Sequence, residues 1–132
     1  MPVEPVWLHE RIVETVHLRQ LAEHGGAEGV RDRSLLDMAL AKPMQLYSYG
    51  DPSPDLSALA AAYAHGIARL HPFVDGNKRT SFVAALLFLR LNGHDIRASQ
   101  EERYTTWLAL AAGDLDETAL ATWLRGRLQP AE

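Results

Sequence analysis

Apolar positions recur along the chain at mostly helical spacing, in blocks separated by Gly, Pro and Asp. In "VWLHERIVETVHLRQLAEHGG", Trp7, Ile12, Val16 and Leu21 mark one face of a helix that Gly25-Gly26 stop. "RDRSLLDMALAKP" predicts a second helix from near Asp32 to just before Pro43, burying Leu35, Leu36, Ala39 and Leu40. "PMQLYSYGDPSP" shows no helical period and predicts a loop or a short β-hairpin. The Ala-rich "DLSALAAAYAHGIARLH" predicts a third helix ending near Pro72. "KRTSFVAALLFLRLNG" predicts a fourth, ending at Gly93 and apolar most of the way round, so that it should be central and buried. "HDIRA" reads as a short extended connector. In "SQEERYTTWLALAAG", Ser99 and Glu102 stand at capping-box spacing and Gly113 is the stop. "DETALATWLRGRL" predicts a last amphipathic helix from near Asp116. The sum is a single all-α domain over residues 1–132, a compact bundle of about six helices with little or no β structure.

Composition narrows the classes. The chain has 132 residues, 47% hydrophobic and 23% charged, enough to bury a core without staples. It has no Cys, which removes disulfides and thiolate metal sites and fits a reducing compartment. The His residues never form an H-x-x-x-H pair, so the sequence offers no zinc site. "MPVEPVWLHERIVETV" lacks the basic-then-apolar order of a signal peptide. The longest apolar run, Phe82 to Leu91, contains Arg90 and falls far short of the ~20 residues that span a bilayer. These features predict a cytoplasmic protein without membrane contact. A net charge of −4 and no long basic block argue against direct nucleic-acid binding.

The chemistry concentrates in "RLHPFVDGNKRTSF", residues Arg69 to Phe82. This turn joins two helices. Gly76 offers a conformation that side chains disfavour, or lets a ligand approach the backbone. Asn77 stands where an N-cap is expected, with Lys78 and Arg79 in the first helical turn. Cations at the positive end of a helix dipole cost a few tenths to ~1 kcal/mol. A bound polyanion offsets that cost, because free N–H groups, an ammonium and a guanidinium all favour phosphate there. Asp75 then suits a Mg²⁺ ion bridging carboxylate and phosphate oxygens. His71 is placed to take a proton from an attacking hydroxyl. Each residue alone has a plainer reading: His71 as a helix-end residue, Asp75 as a turn residue, Asn77 as a cap. Phe73 reads as a core anchor of the loop. His65 and Arg69, at i, i+4 spacing, read as solvated surface. Six compatible residues within nine positions favour transfer of a phosphate-containing group.

"HPFVDGNKRT" resembles the signature H-P-F-x-[DE]-G-N-[GK]-R of the Fic/Doc superfamily, matched without a gap from His71 to Arg79. "RDRSLLDMALAKP", "FLRLNGHDI" and the "LALAAGDLD" region resemble its Doc, or death-on-curing, toxin branch. The resemblance implies the Fic/Doc fold with its flap, a hairpin that aligns the target chain by β-augmentation; "QLYSYGDPS" lies at that place. It implies an enzyme that uses ATP and Mg²⁺ to modify hydroxyl side chains of proteins. Most members transfer AMP. Doc-like members transfer a phosphoryl group to a threonine of elongation factor Tu and stop translation. Carried over, His71 is the general base and Asp75 the metal ligand. Gly76 and Asn77 form the anion hole, and Lys78 and Arg79 bind phosphate. Lys78 stands where AMP-transferring members carry Gly, and Phe82, which should pack, where they carry a second Arg. Both favour phosphoryl transfer, with AMP transfer as the alternative. A catalytically silent interaction domain is a third reading, which the intact cluster opposes. Many Fic proteins restrain themselves with [ST]-x-x-x-E-[GN], and no Ser or Thr here stands four residues before a Glu followed by Gly or Asn. The resemblance therefore implies a cognate antitoxin whose tail folds onto an apolar groove. The helix faces around Trp7 and Trp107 are the candidates, although Trp in a small helical domain is more often core.

Overall fold

The structure is a computed structural model and describes residues 4–132. Six helices carry the described chain: α1 (Glu10–His24), α2 (Arg33–Tyr49), α3 (Leu56–Leu70), α4 (Asn77–Leu91), α5 (Gln100–Ala112) and α6 (Glu117–Arg127). Two short strands, β1 (His94–Ile96) and β2 (Leu128–Pro130), complete it. The all-α expectation holds, and several starts fall where the polar signals put them. Asp32 accepts from the N–H groups of Ser34 and Leu35, and Asp116 from that of Ala119. Ser99 and Glu102 form the full capping box. The first helix begins later than its apolar face, at Glu10, with His9 as its cap.

The most enclosed element is α3 rather than α4. Leu59 to Ala64 are each no more than 1% exposed, and α3 packs against α2, α4 and α6. Its run of alanines lets three neighbours approach closely, while Tyr63, Ile67 and Leu59 supply the bulk. The core cluster draws on all six helices, from Val13 on α1 to Leu120 and Leu124 on α6.

The stretch expected to be a loop or hairpin from Pro43 is helical to Tyr49, with Pro43 buried inside α2. Only 50–55 remains as a connector, so the hairpin form of the flap is absent among the described residues. Proline removes one helical hydrogen bond and costs about 3 kcal/mol in a helix interior. Packing outweighs that here. Leu46 and Tyr47 lie against the core, and the Tyr47 ring meets Trp7 edge-on at 5.5 Å. The carbonyl that Pro43 cannot serve belongs to Ala39, beside the close crossing of α2 over Gly66 of α3.

The "HDIRA" connector pairs with the chain's end. Ile96 opposes Leu128 and His94 opposes Pro130 in an antiparallel ladder. This clips the C-terminal segment beside the end of α4. No helix among the described residues is long and apolar enough to cross a membrane.

Candidate active site

The turn between α3 and α4 is shaped by its own side chains and by two distant segments. Asn77 is the first residue of α4 rather than its cap, which is Gly76. The Asn77 carboxamide folds back: its Oδ1 accepts from Phe73 N–H and its Nδ2 donates to the Phe73 carbonyl, both at 2.9 Å. Phe73 is 1% exposed and stacks on buried His17 of α1, with centroids 3.9 Å apart. His17 Nε2 donates to the Asp75 carbonyl at 2.7 Å, which fixes the proton on that nitrogen. On the other side, Val74 N–H donates to the Gly29 carbonyl and Arg31 N–H to that of Pro72. The loop is thus held by bonds within the protein.

Gly76 has φ 74°, and a Cβ there would stand 3.3 Å from Leu21 and 3.6 Å from His17. Both the backbone and the space demand glycine. Gly26 serves the neighbouring residue. A Cβ on it would come 2.9 Å from Asp75 Oδ2, so its absence gives the carboxylate its seat. Asp75 is exposed and accepts from the N–H groups of Gly76 (2.8 Å) and Ala27 (3.3 Å).

His71, Val74, Asp75, Gly76, Asn77, Lys78, Arg79 and Trp107 line one cleft of about 330 Å³. All six residues singled out in the sequence therefore meet in one place. Helix α4 begins there without a side-chain cap, whereas the other five helices each have one. The N–H groups of Asn77, Lys78 and Arg79 lie in its first turn and have no acceptor inside the helix. Lys78 is exposed, and Arg79 holds only the Gly25 carbonyl, at 3.4 Å. The arrangement offers an anion unpaired N–H groups, an ammonium and a guanidinium.

Asp75 is the one carboxylate lining the cleft, and no group of three or more His, Asp or Glu residues is arranged to hold a metal among the described residues. A lone exposed carboxylate fits Mg²⁺, which takes one or two protein ligands and completes its shell with substrate phosphates and water.

Sequence reasoning did not place Val74 or Trp107 in this cleft. Trp107 Nε1 donates to the Lys78 carbonyl at 2.5 Å and so docks α5 onto the first turn of α4. Arg79 and Trp107 also line a wider groove of about 750 Å³ between α1, α4 and α5, whose floor includes Phe82, Val83 and Leu86. Phe82 is 7% exposed, packing as expected. Of the two tryptophans offered for a groove, Trp7 precedes α1 and stacks on Phe88 in the core; Trp107 is the one beside a groove.

His65 departs from its solvated reading. It is half-buried between α2 and α6, with Nδ1 3.4 Å from the Glu117 carboxylate that also takes Lys42. Burial, then the Lys42 charge, holds its pKa below the ordinary value.

Comparison with known proteins agrees with the motif. The profile of the Fic/DOC family matches residues 7–89. "Toxin Doc" of Mycolicibacterium smegmatis is 42% identical over 105 residues, covering 77% of this chain and 80% of the relative. "Protein kinase doc" of Escherichia phage P1 is 32% identical over 117 residues, covering 89% and 91%. The chain belongs to the Fic/Doc family, in its Doc branch.

Proposed function

We propose that this protein is the toxin of a toxin–antitoxin pair and transfers a phosphoryl group from ATP to a hydroxyl side chain of a translation factor, elongation factor Tu being the candidate target. One observation carries the reading: a basic, uncapped helix N-terminus shares a single cleft with His71 and Asp75. The names of the two relatives, a toxin and a protein kinase, support the same class.

The residues divide the work. The first-turn N–H groups of α4, with Lys78 and Arg79, bind and orient the phosphate chain. Asp75 would hold Mg²⁺ against the phosphate oxygens; the ion supplies neutralisation of charge that builds during transfer. His71 accepts the proton of the target hydroxyl as that oxygen attacks the γ-phosphorus, the bond from that phosphorus to the β–γ bridging oxygen breaks, and ADP leaves. Asn77 acts through the loop, since both ends of its carboxamide are bonded to Phe73. Phosphoryl transfer is favoured over AMP transfer because Lys78 fills the space a glycine would leave and Phe82 is packed, giving no second arginine. ATP and translation factors place the reaction in the cytoplasm.

The groove between α1, α4 and α5 suits an antitoxin tail. It is apolar along Phe82, Val83 and Leu86, and it adjoins the site through Arg79 and Trp107. A segment folding there would cover the guanidinium and block phosphate.

The test is to incubate the protein with elongation factor Tu, Mg²⁺ and ATP and to weigh the target. A gain of one phosphate supports the reading. A gain of one AMP replaces it with the alternative chemistry, and no gain with wild type removes this target. His71→Ala should show no transfer while unfolding at the wild-type temperature.

A further inference from the structure

His71 is the only non-glycine residue with positive φ among the described residues, at φ 52° and ψ 56°. A Cβ disfavours that left-handed conformation. A following proline disfavours helical ψ as well, and Pro72 follows. A residue held against both preferences must be fixed from outside.

The His71 N–H donates to the Ile67 carbonyl at 3.3 Å and Asp32 N–H to the Pro72 carbonyl at 3.1 Å, and Arg31 supplies the remaining hold. Its Nε donates to the His71 carbonyl at 2.7 Å, its Nη2 to the Leu70 carbonyl at 2.9 Å and its backbone N–H to the Pro72 carbonyl at 2.7 Å. One residue thus binds three consecutive carbonyls at the end of α3. Among the described residues no other side chain bonds any of the three. A guanidinium there also answers the negative end of the α3 dipole.

We propose that Arg31 is a positioning residue for His71: its clasp on the Leu70, His71 and Pro72 carbonyls keeps the His71 backbone left-handed and its imidazole in the cleft. The inference rests on the reading of His71 as the general base. Proton transfer needs the imidazole within hydrogen-bond reach of the attacking hydroxyl. Without the side-chain clasp His71 relaxes towards the extended region, and its Cβ turns away from the cleft. A misplacement of about 1 Å can cost about a hundredfold in rate. Arg31 is exposed, and Asp32 caps α2, so truncating the side chain opens no cavity and leaves the α2 cap in place.

The test compares wild type with Arg31→Ala, Arg31→Lys and His71→Ala. The backbone conformation of residue 71 is read by NMR couplings and chemical shifts, and colony survival is counted on induced expression. We expect Arg31→Ala to unfold near the wild-type temperature, to lose the left-handed conformation and to raise survival about a hundredfold. Arg31→Lys, with one charged head for two carbonyls, should fall between. Left-handed His71 in Arg31→Ala, or wild-type killing by it, overturns the inference. If His71→Ala kills like wild type, the base reading fails and the inference with it. If instead His71→Ala is inert and Arg31→Ala kills fully, only the inference fails. Should wild type spare the host, the NMR result alone decides.

Discussion

Asn77→Ala separates two roles for the carboxamide that the motif alone leaves open, phosphate ligand and loop strut. In the structure it is a strut. Asn77 is 6% exposed, and its two bonds to Phe73 are both 2.9 Å. Truncation leaves a buried N–H and a buried carbonyl on Phe73 without partners. Each such loss costs about 1–3 kcal/mol. Alanine's better helix propensity at the first position returns about 0.5 kcal/mol, and water entering from the cleft relieves part of the rest. The net expectation is a loss of about 2–4 kcal/mol. For a chain of this size that is a fall in Tm of roughly 6–20 °C. Thermal unfolding followed by circular dichroism, without nucleotide, measures it directly. Asn77→Asp sharpens the test. It can still accept from Phe73 N–H, but its ionised oxygen faces the Phe73 carbonyl. Protonation restores the donor, so the folded state raises the Asp pKa. The deficit of Asn77→Asp should therefore shrink as pH falls through that raised pKa towards the ordinary carboxylate value of about 3.9. If Asn77→Ala melts within about 2 °C of wild type, the strut argument is wrong and the carboxamide is free to bind phosphate.

Gly76→Ala should cost about 1–2 kcal/mol for the left-handed backbone, plus the displacement of Leu21 that the 3.3 Å approach requires; chemical denaturation and ATP titration should both register it. Trp107→Phe loses the bond to the Lys78 carbonyl and loosens α5 from the first turn of α4. It should weaken nucleotide binding measured by calorimetry while leaving His71-dependent chemistry at saturating ATP nearly intact. Tyr63, fully buried with its hydroxyl accepting from Leu8 N–H, has its pKa pushed up to about 12 by desolvation. The unfolded chain ionises first, near 10, so stability should fall as pH rises from about 10 to about 12. Tyr63→Phe should remove that alkaline slope; an unchanged slope assigns it to another group.

Much of this architecture was written locally. Asp32, Asp116 and the Ser99–Glu102 pair cap helices because a short polar side chain meets N–H groups two or three residues ahead, a relation visible in sequence. The α2 helix shows where local reading fails and which signal was there. Pro43 locally signals a terminator, yet Leu36, Ala39, Leu40, Pro43, Leu46 and Tyr47 keep one helical period across it. The period outweighs the breaker, because burial of that stripe on α3 exceeds one lost hydrogen bond. The β1–β2 pairing had no local sign, since it joins segments more than thirty residues apart whose meeting depends on α5 and α6. The candidate site divides the same way. Its chemical groups sit within one stretch and were legible. Its supports, His17, Gly26 and Arg31, come from elsewhere in the chain; His17 and Arg31 reach backbone carbonyls of the turn, which carry no residue-type signature, and Gly26 contributes only the absence of a side chain.

The start of α4 shows what this stretch gives up for its chemistry. Five helices cap themselves with a side chain, and the fold had the means to do so here. Instead glycine holds the cap position, and the adjacent Asn77 turns its amide backward to brace Phe73. Two cations follow at the positive end of the dipole, where carboxylates would be favoured. The two cations lower the stability of the free protein and would raise its affinity for the proposed polyanion. Neither cation serves packing, since Lys78 is exposed and Arg79 holds a single long hydrogen bond. The bracing by Asn77 and His17 fixes the turn that presents the first N–H groups of α4. A loop that collapsed onto them would satisfy the donors and lose the site. The rigid turn keeps them aimed at the same cleft as His71, so the proposed phosphate would require no reorganisation there.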